Sequence, residues 1–272
     1  MLHGCTQDPD DFAAGTRMNT LAQEQGFFVL YPAQALRSNS HKCWNWFSPG
    51  DQRRGAGEPA LIAGMVRHVL QTHPVDADRV YVAGLSAGGA MAAILAREYP
   101  DLFAAAGVHS GLAPGAAKDV ASAFSVMKSG PGSRAASVAR SAAPRASGGR
   151  DAESGAATHG SAPVIVIHGS ADETVAATNA EAVVEAALAG TTAVTEPAPD
   201  VDAGGSRRVQ RTVWRAADAP PGAPTLAERW LVHGAPHAWS GGAPAGSYTD
   251  PKGPDASRAM LRFFRDHPRR AR

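Results

Sequence analysis

A serine held between glycines joins a strand-like run directly to a helix-like one. Arg79-Val80-Tyr81-Val82-Ala83 is short, apolar and β-branched, Gly84-Leu85-Ser86-Ala87-Gly88 follows without a spacer, and Gly89-Ala90-Met91-Ala92-Ala93-Ile94-Leu95-Ala96 continues as a helix. This is the layout of a nucleophile elbow, a turn so sharp that the serine takes a strained backbone geometry and its neighbours must be small. Glycine at 84 and 88 and alanine at 87 fit that crowding. The hydroxyl is left at the strand tip above a helix N-terminus, where the first N–H groups, Ala87's foremost, have no intrahelical partner and suit a developing oxyanion. With 29 glycines in the chain, the pentapeptide alone is weak evidence, and a glycine-rich turn with a polar tip is the bland alternative. The strand before it and the helix after it favour the elbow.

A serine hydroxyl is a poor nucleophile until a base takes its proton, and the base needs an acid to fix its tautomer and stabilise its charge. In α/β-hydrolases these follow the serine in the order acid, histidine, each on a loop after a later strand. Pro163-Val164-Ile165-Val166-Ile167-His168-Gly169 reads as a buried strand closed by a turn, and Ser170-Ala171-Asp172-Glu173 follows. Asp172 is the acid of choice. Glu173 is its rival, but the run Ala176 to Val184 reads as a helix, so Glu173 approaches a helix start, where acids are favoured for the dipole alone. The last strand, Glu228-Arg229-Trp230-Leu231-Val232-His233-Gly234, leads into Ala235-Pro236-His237-Ala238-Trp239-Ser240-Gly241-Gly242, which makes His237 the base among ten histidines. His168 and His233 end strands, His109 follows the elbow too soon, and His68 and His73 fall on or beside a helix.

The remaining pattern alternates strands and helices. Thr16 to Gln25 reads as a helix, Phe27-Phe28-Val29-Leu30-Tyr31 as a strand, Pro59 to Thr72 as a helix, and Phe103 to His109 as a buried strand. Val209 to Trp214 forms a hairpin with the Trp230 strand, and Asp255 to Asp266 is a final helix with Met260, Leu261, Phe263 and Phe264 on an apolar face. The expected fold class is therefore α/β, a mainly parallel sheet flanked by helices, in one catalytic domain over residues 1–272. At 272 residues and 44% apolar content the chain can bury a substantial core. A net charge of +1 and the absence of a basic stripe interleaved with aromatics argue against nucleic acid, and no apolar run reaches the roughly 18 residues of a membrane span.

Three stretches depart from the pattern. Ser129 to Ser161 is almost entirely Ser, Ala, Gly, Pro and Arg, and reads as a disordered surface insertion. Pro197 to Ser206 reads as a shorter flexible loop. Met1-Leu2-His3-Gly4-Cys5-Thr6-Gln7 resembles the last residues of a strand and an oxyanion loop, so the expectation is a chain whose amino-terminal strands, and any secretory signal, are missing.

His3-Gly4-Cys5-Thr6-Gln7, Cys43-Trp44-Asn45-Trp46-Phe47, Gly84 to Gly89, His168-Gly169-Ser170-Ala171-Asp172 and His237 to Gly242 together resemble the polyhydroxybutyrate depolymerase family of esterases, with feruloyl and acetylxylan esterases as wider relatives. Gly246 to Pro251 and Gly253 to Ala256 extend the likeness, which covers nearly all of the chain outside the insertion. The resemblance implies an α/β-hydrolase fold, Ser86 as nucleophile, Asp172 as acid, His237 as base, and the N–H groups of Cys5 and Ala87 as the oxyanion hole. It implies that Cys5 and Cys43 pair, the alternative being two buried free thiols, and that the enzyme is extracellular. It also implies hydrolysis of short-chain hydroxyalkanoate esters, polymeric or oligomeric, through an acyl-enzyme without metal or organic cofactor. A feruloyl or acetylxylan esterase and an inactive binding protein on the same fold are the alternatives. Trp44, Trp46 and Trp239 are candidates to line an acyl-binding surface, against the plainer reading as core aromatics. Nothing in the sequence speaks to oligomeric state.

Overall fold

Alternation along three short strands divides the core between two faces of one sheet. In a strand, successive side chains point to opposite faces. Val82, Val108, Val164 and Val166 accordingly join one buried cluster, whereas Ala83, Leu85, Ile165 and Ile167 join another. Strands apolar on both faces belong in a sheet covered by helices on both sides, and the computed structural model of the chain has that arrangement. It describes residues 1–130, 160–198, 204–220 and 222–269.

The elements, in chain order, are α1 (Pro9–Thr16), α2 (Met18–Gln25), a 3-10 turn (Pro49–Asp51), α3 (Gly57–Thr72), β1 (Tyr81–Leu85), α4 (Ala87–Glu98), β2 (Ala105–His109), α5 (Val120–Ser129), β3 (Val164–Gly169), α6 (Thr178–Ala187), β4 (Ala193–Pro197), β5 (Val209–Ala216), β6 (Ala227–Val232), β7 (Trp239–Ser240), β8 (Thr249–Asp250) and α7 (Ala256–Arg265). The main sheet runs β1-β2-β3-β6-β5-β4, and β7 pairs with β8 separately. β1, β2, β3 and β6 are mutually parallel, so their carboxyl ends share one edge; β5 and β4 continue the sheet antiparallel. The first face is covered by Ile62 and Ala63 of α3, Met91, Ile94 and Leu95 of α4, and Val183 and Val184 of α6. The second is covered by Phe12 of α1 and by Met260, Phe263 and Phe264 of α7. Asp255 caps α7 by accepting from Arg258 N–H at 3.0 Å, which fixes where that apolar face begins.

The structure corrects the sequence reading in several places. Phe27–Tyr31 is not a strand: Phe27 N–H donates back to Ala22 O at the end of α2, Leu30 O accepts the Met1 amino group, and the run joins no ladder among the described residues. The helix expected from Thr16 to Gln25 is α2, which begins at Met18 because Arg17 is left-handed (φ 54°), and α1 before it went unread. α5 and β4 went unread, and β4 takes up Pro197, the first residue of the loop expected there. The insertion expected over 129–161 lies outside the described residues save Ser129, Gly130, Gly160 and Ser161, as do 199–203 of the second loop.

Candidate active site

At the carboxyl end of β1 the backbone makes the turn that its small residues require. Ser86 has φ 58° and ψ −119°, a region that costs a non-glycine residue about 1–3 kcal/mol. The conformation is held from both sides: Ser86 N–H donates to His109 O on β2 (2.9 Å), and Ser86 O accepts from Ala90 N–H in α4 (2.9 Å). A Cβ at Gly84 would stand 2.4 Å from Gly88 backbone atoms, and one at Gly88 would stand 2.1 Å from Leu2 O. Only glycine at both positions lets the strand, the helix and the amino-terminal segment meet.

That segment lies against the elbow. Leu2 forms a parallel bridge to Gly84, with Leu2 N–H donating to Ala83 O (2.8 Å) and Leu85 N–H to Leu2 O (3.2 Å). The following loop is held by side chains. Gly4 N–H donates to Gln7 Oε1 (2.9 Å), and Gln7 Nε2 donates to Asp11 Oδ2 (2.9 Å) and to Ser247. Asp11 Oδ1 accepts from Ser247 N–H (2.8 Å). A Cys5–Cys43 disulfide ties this loop to the Trp44 loop. Buried Glu58 in turn fixes the Trp44 loop by accepting from Asn45 N–H (2.7 Å) and Nδ2 (2.6 Å) and from Gln34. Burial raises the Glu58 carboxyl pKa, although its donors oppose this. The Cys5 and Ala87 N–H groups have no acceptor among the described residues.

Asp172 sits beyond β3 in a turn closed by its own side chain. Oδ1 accepts from Thr174 N–H (2.9 Å) and Val175 N–H (2.8 Å), and Oδ2 accepts from His237 Nδ1 (2.7 Å). Burial pushes the carboxyl pKa up, but the donors at His168 and His237 outweigh it and hold the group well below the ordinary carboxylate range. An ionised carboxylate only accepts, so His237 carries a hydrogen on Nδ1, and Nε2 is the nitrogen left to act as base when the ring is neutral. The two loops are laced together: Ser170 N–H donates to Val232 O (2.9 Å), Ala171 N–H to Ala235 O (3.1 Å), and Gly234 N–H to Ser170 Oγ (2.9 Å). Glu173, the rival acid, is exposed, and α6 begins only at Thr178.

The sequence reading passed over two buried rings. His109 Nε2 accepts from Ser240 N–H (3.0 Å) and its ring stacks on Trp239, so it supports the chain just past His237. Burial, reinforced by nearby His168 and His237, pushes its pKa down to about 3 and keeps it neutral. His168 lies under Asp172. Each ends an apolar strand, a position whose sequence signal is core. Trp44, Trp46 and Trp239 are 3%, 4% and 1% exposed and pack in the core, as the plainer of the two readings has it. Trp239 meets Phe12 edge-on and donates to Ser257 Oγ (3.1 Å).

Residues 1–215 match the family model described as esterase PHB depolymerase. The chain belongs to that family. Poly(3-hydroxyalkanoate) depolymerase C of Paucimonas lemoignei is 40% identical over 185 residues, 68% of this chain and 42% of the relative. Feruloyl esterase B of Thermothelomyces thermophilus is 39% identical over 123 residues, 45% of this chain and 41% of the relative. The match thus spans about two fifths of each relative's own length. The acetyl xylan esterase of Aspergillus awamori superposes with a TM-score of 0.69 over 97% of this chain and 87% of that one at 23% identity, a likeness of fold. The PHB depolymerase family member described here has the α/β-hydrolase fold, and no helix among its described residues is long and apolar enough to cross a membrane.

Proposed function

We propose that this chain is a serine esterase, and the observation that carries the reading is the 2.7 Å Asp172–His237 hydrogen bond on the same sheet edge as the positive-φ Ser86. His237 Nε2 takes the Ser86 proton as Oγ attacks the ester carbonyl, and Asp172 stabilises the imidazolium. The N–H groups of Cys5 and Ala87 receive the oxyanion; one comes from the side-chain-braced loop and the other from the first turn of α4. His237 then protonates the leaving alcohol and activates water to release the acyl group. No step calls on a metal or an organic cofactor.

Short-chain hydroxyalkanoate esters are the proposed substrates, supported by 40% identity to the Paucimonas lemoignei depolymerase. A feruloyl-type carboxylesterase is the second reading, favoured by 39% identity over the shorter feruloyl esterase match. The Cys5–Cys43 disulfide supports an extracellular or otherwise oxidising setting. Hydrolysis of a short p-nitrophenyl ester tests the mechanism: Ser86→Ala and His237→Gln are each expected to lower kcat by about 10⁴-fold or more while remaining folded. Activity near wild type in either variant removes that residue from the mechanism. Hydroxybutyrate oligomers assayed beside feruloyl esters separate the two substrate readings, the better kcat/KM naming the class.

A further inference from the structure

One wholly buried ring beneath the acid takes no part in the proton path described above. His168 is the penultimate residue of β3, with Nε2 2.9 Å from Val175 O and 3.4 Å from Asp172 Oδ2. A carbonyl oxygen only accepts, so Nε2 carries the hydrogen. His168 Nδ1 is buried without a hydrogen-bond partner among the described residues. The hydrogen of this ring therefore sits on Nε2, facing Val175 O and Asp172, and not on Nδ1.

We propose that His168 is a positioning residue whose Nε2–H clamps both ends of the Asp172 turn and thereby sets the basicity of His237. The clamp has two arms. The shorter holds the carbonyl of Val175, whose own N–H donates to Asp172 Oδ1 (2.8 Å). The longer reaches Oδ2, the oxygen that also receives His237 Nδ1–H. The donor at His168 draws charge away from the oxygen that faces the base, and Asp172 is the more easily kept ionised for it. The titratable groups facing this ring are Asp172, His237 and His109, the last held neutral by burial. The inference rests on the esterase reading and deepens it.

Removing the N–H leaves more negative charge on Oδ2 toward His237, which stabilises the imidazolium and weakens the orientation of the carboxylate. For His168→Leu the expected result is a kcat about tenfold to a hundredfold lower at unchanged KM. The acidic limb of kcat/KM against pH should also move upward by about half a unit. His168→Gln keeps an N–H donor and is expected to recover most of both. A folded His168→Leu with wild-type kcat and acidic limb overturns the proposal, as does a His168→Gln no better than the leucine variant. If the leucine variant does not fold, the ¹⁵N spectrum of histidine-labelled wild type decides. A His168 ring with hydrogen on Nε2 supports the clamp; a ring with hydrogen on Nδ1 and none on Nε2 overturns it. Fluorophosphonate titration of wild type keeps the two claims apart: a protein with no labelled sites refutes the esterase reading, and the spectrum still decides the clamp.

Discussion

The Ser86 elbow and the Cys5 loop face each other across Leu2, yet they are held by opposite means. At the elbow, backbone packing does the holding: Gly88 leaves no room for a Cβ against Leu2 O, and the turn is fixed by main-chain bonds to His109 and from Ala90. The Cys5 loop has no such enclosure. It is held by the disulfide to Cys43, by a main-chain bond from Thr6 N–H to His41 O (2.7 Å), and by the side chains of Gln7 and Asp11 joined to distant Ser247. The lesson is that a strained turn can be stabilised by close-packed small residues and main-chain bonds, whereas a loop presenting an N–H outward is braced from behind by side chains and a cross-link.

The comparison can be broken most severely at Gly88. Gly88→Val sets side-chain carbon against the carbonyls of Leu2 and His3 and is expected to destabilise the protein by about 4 kcal/mol or more, read as a lowered urea midpoint. On the other side, Cys43→Ser opens a cross-link of sequence separation 38. The expected loss is about 3–4 kcal/mol, with a fall in kcat as the Cys5 N–H loses its position. If stability falls while kcat per folded molecule is unchanged, the disulfide braces the fold and not the loop.

Acid probes the elbow side through His109. Its folded pKa, about 3, lies below the ordinary 6.5, so between these values the unfolded chain binds a proton that the folded chain refuses. Stability is fully present above about pH 6.5 and is lost as pH falls toward 3, by about 2 kcal/mol between pH 7 and pH 5. His3, buried in the loop and likewise lowered, adds in the same direction, and the depressed Asp172 carboxyl adds below its ordinary value of 3.8. Urea unfolding at the two pH values checks this, and His109→Asn should flatten the slope. The smallest effect expected is at Gln7: Gln7→Leu removes the acceptor of Gly4 N–H, with about 1–2 kcal/mol lost and kcat lowered more than KM is raised. An unchanged kcat would show that the disulfide alone braces the loop.

This division also explains what could be read from the sequence. The elbow, β2, β3, the β5–β6 hairpin and α7 announce themselves locally, through small residues, continuous apolar runs or a 3.6-residue stripe. Asp172 and His237 were legible by chain order and strand endings, and the structure brings those two side chains together. Phe27–Tyr31 misled because an apolar, aromatic-rich run states propensity and not pairing, and Phe28 there is 61% exposed. The break at Arg17 is a single left-handed residue inside a helical composition. The braces of the Cys5 loop are separated by more than two hundred residues from Gln7 to Ser247, and polar residues so spaced carry no local signal. His168 and His109 were hidden for the converse reason, since a histidine ending an apolar strand looks like core.

The central claim is that Ser86 is the nucleophile. Its most direct test is treatment of the wild-type protein with a fluorophosphonate, followed by peptide mass spectrometry to locate the adduct. The account predicts one phosphonyl group per chain, on Ser86, and none on Ser86→Ala or on denatured wild type. An adduct on another residue, or a folded wild type that takes none, would contradict it.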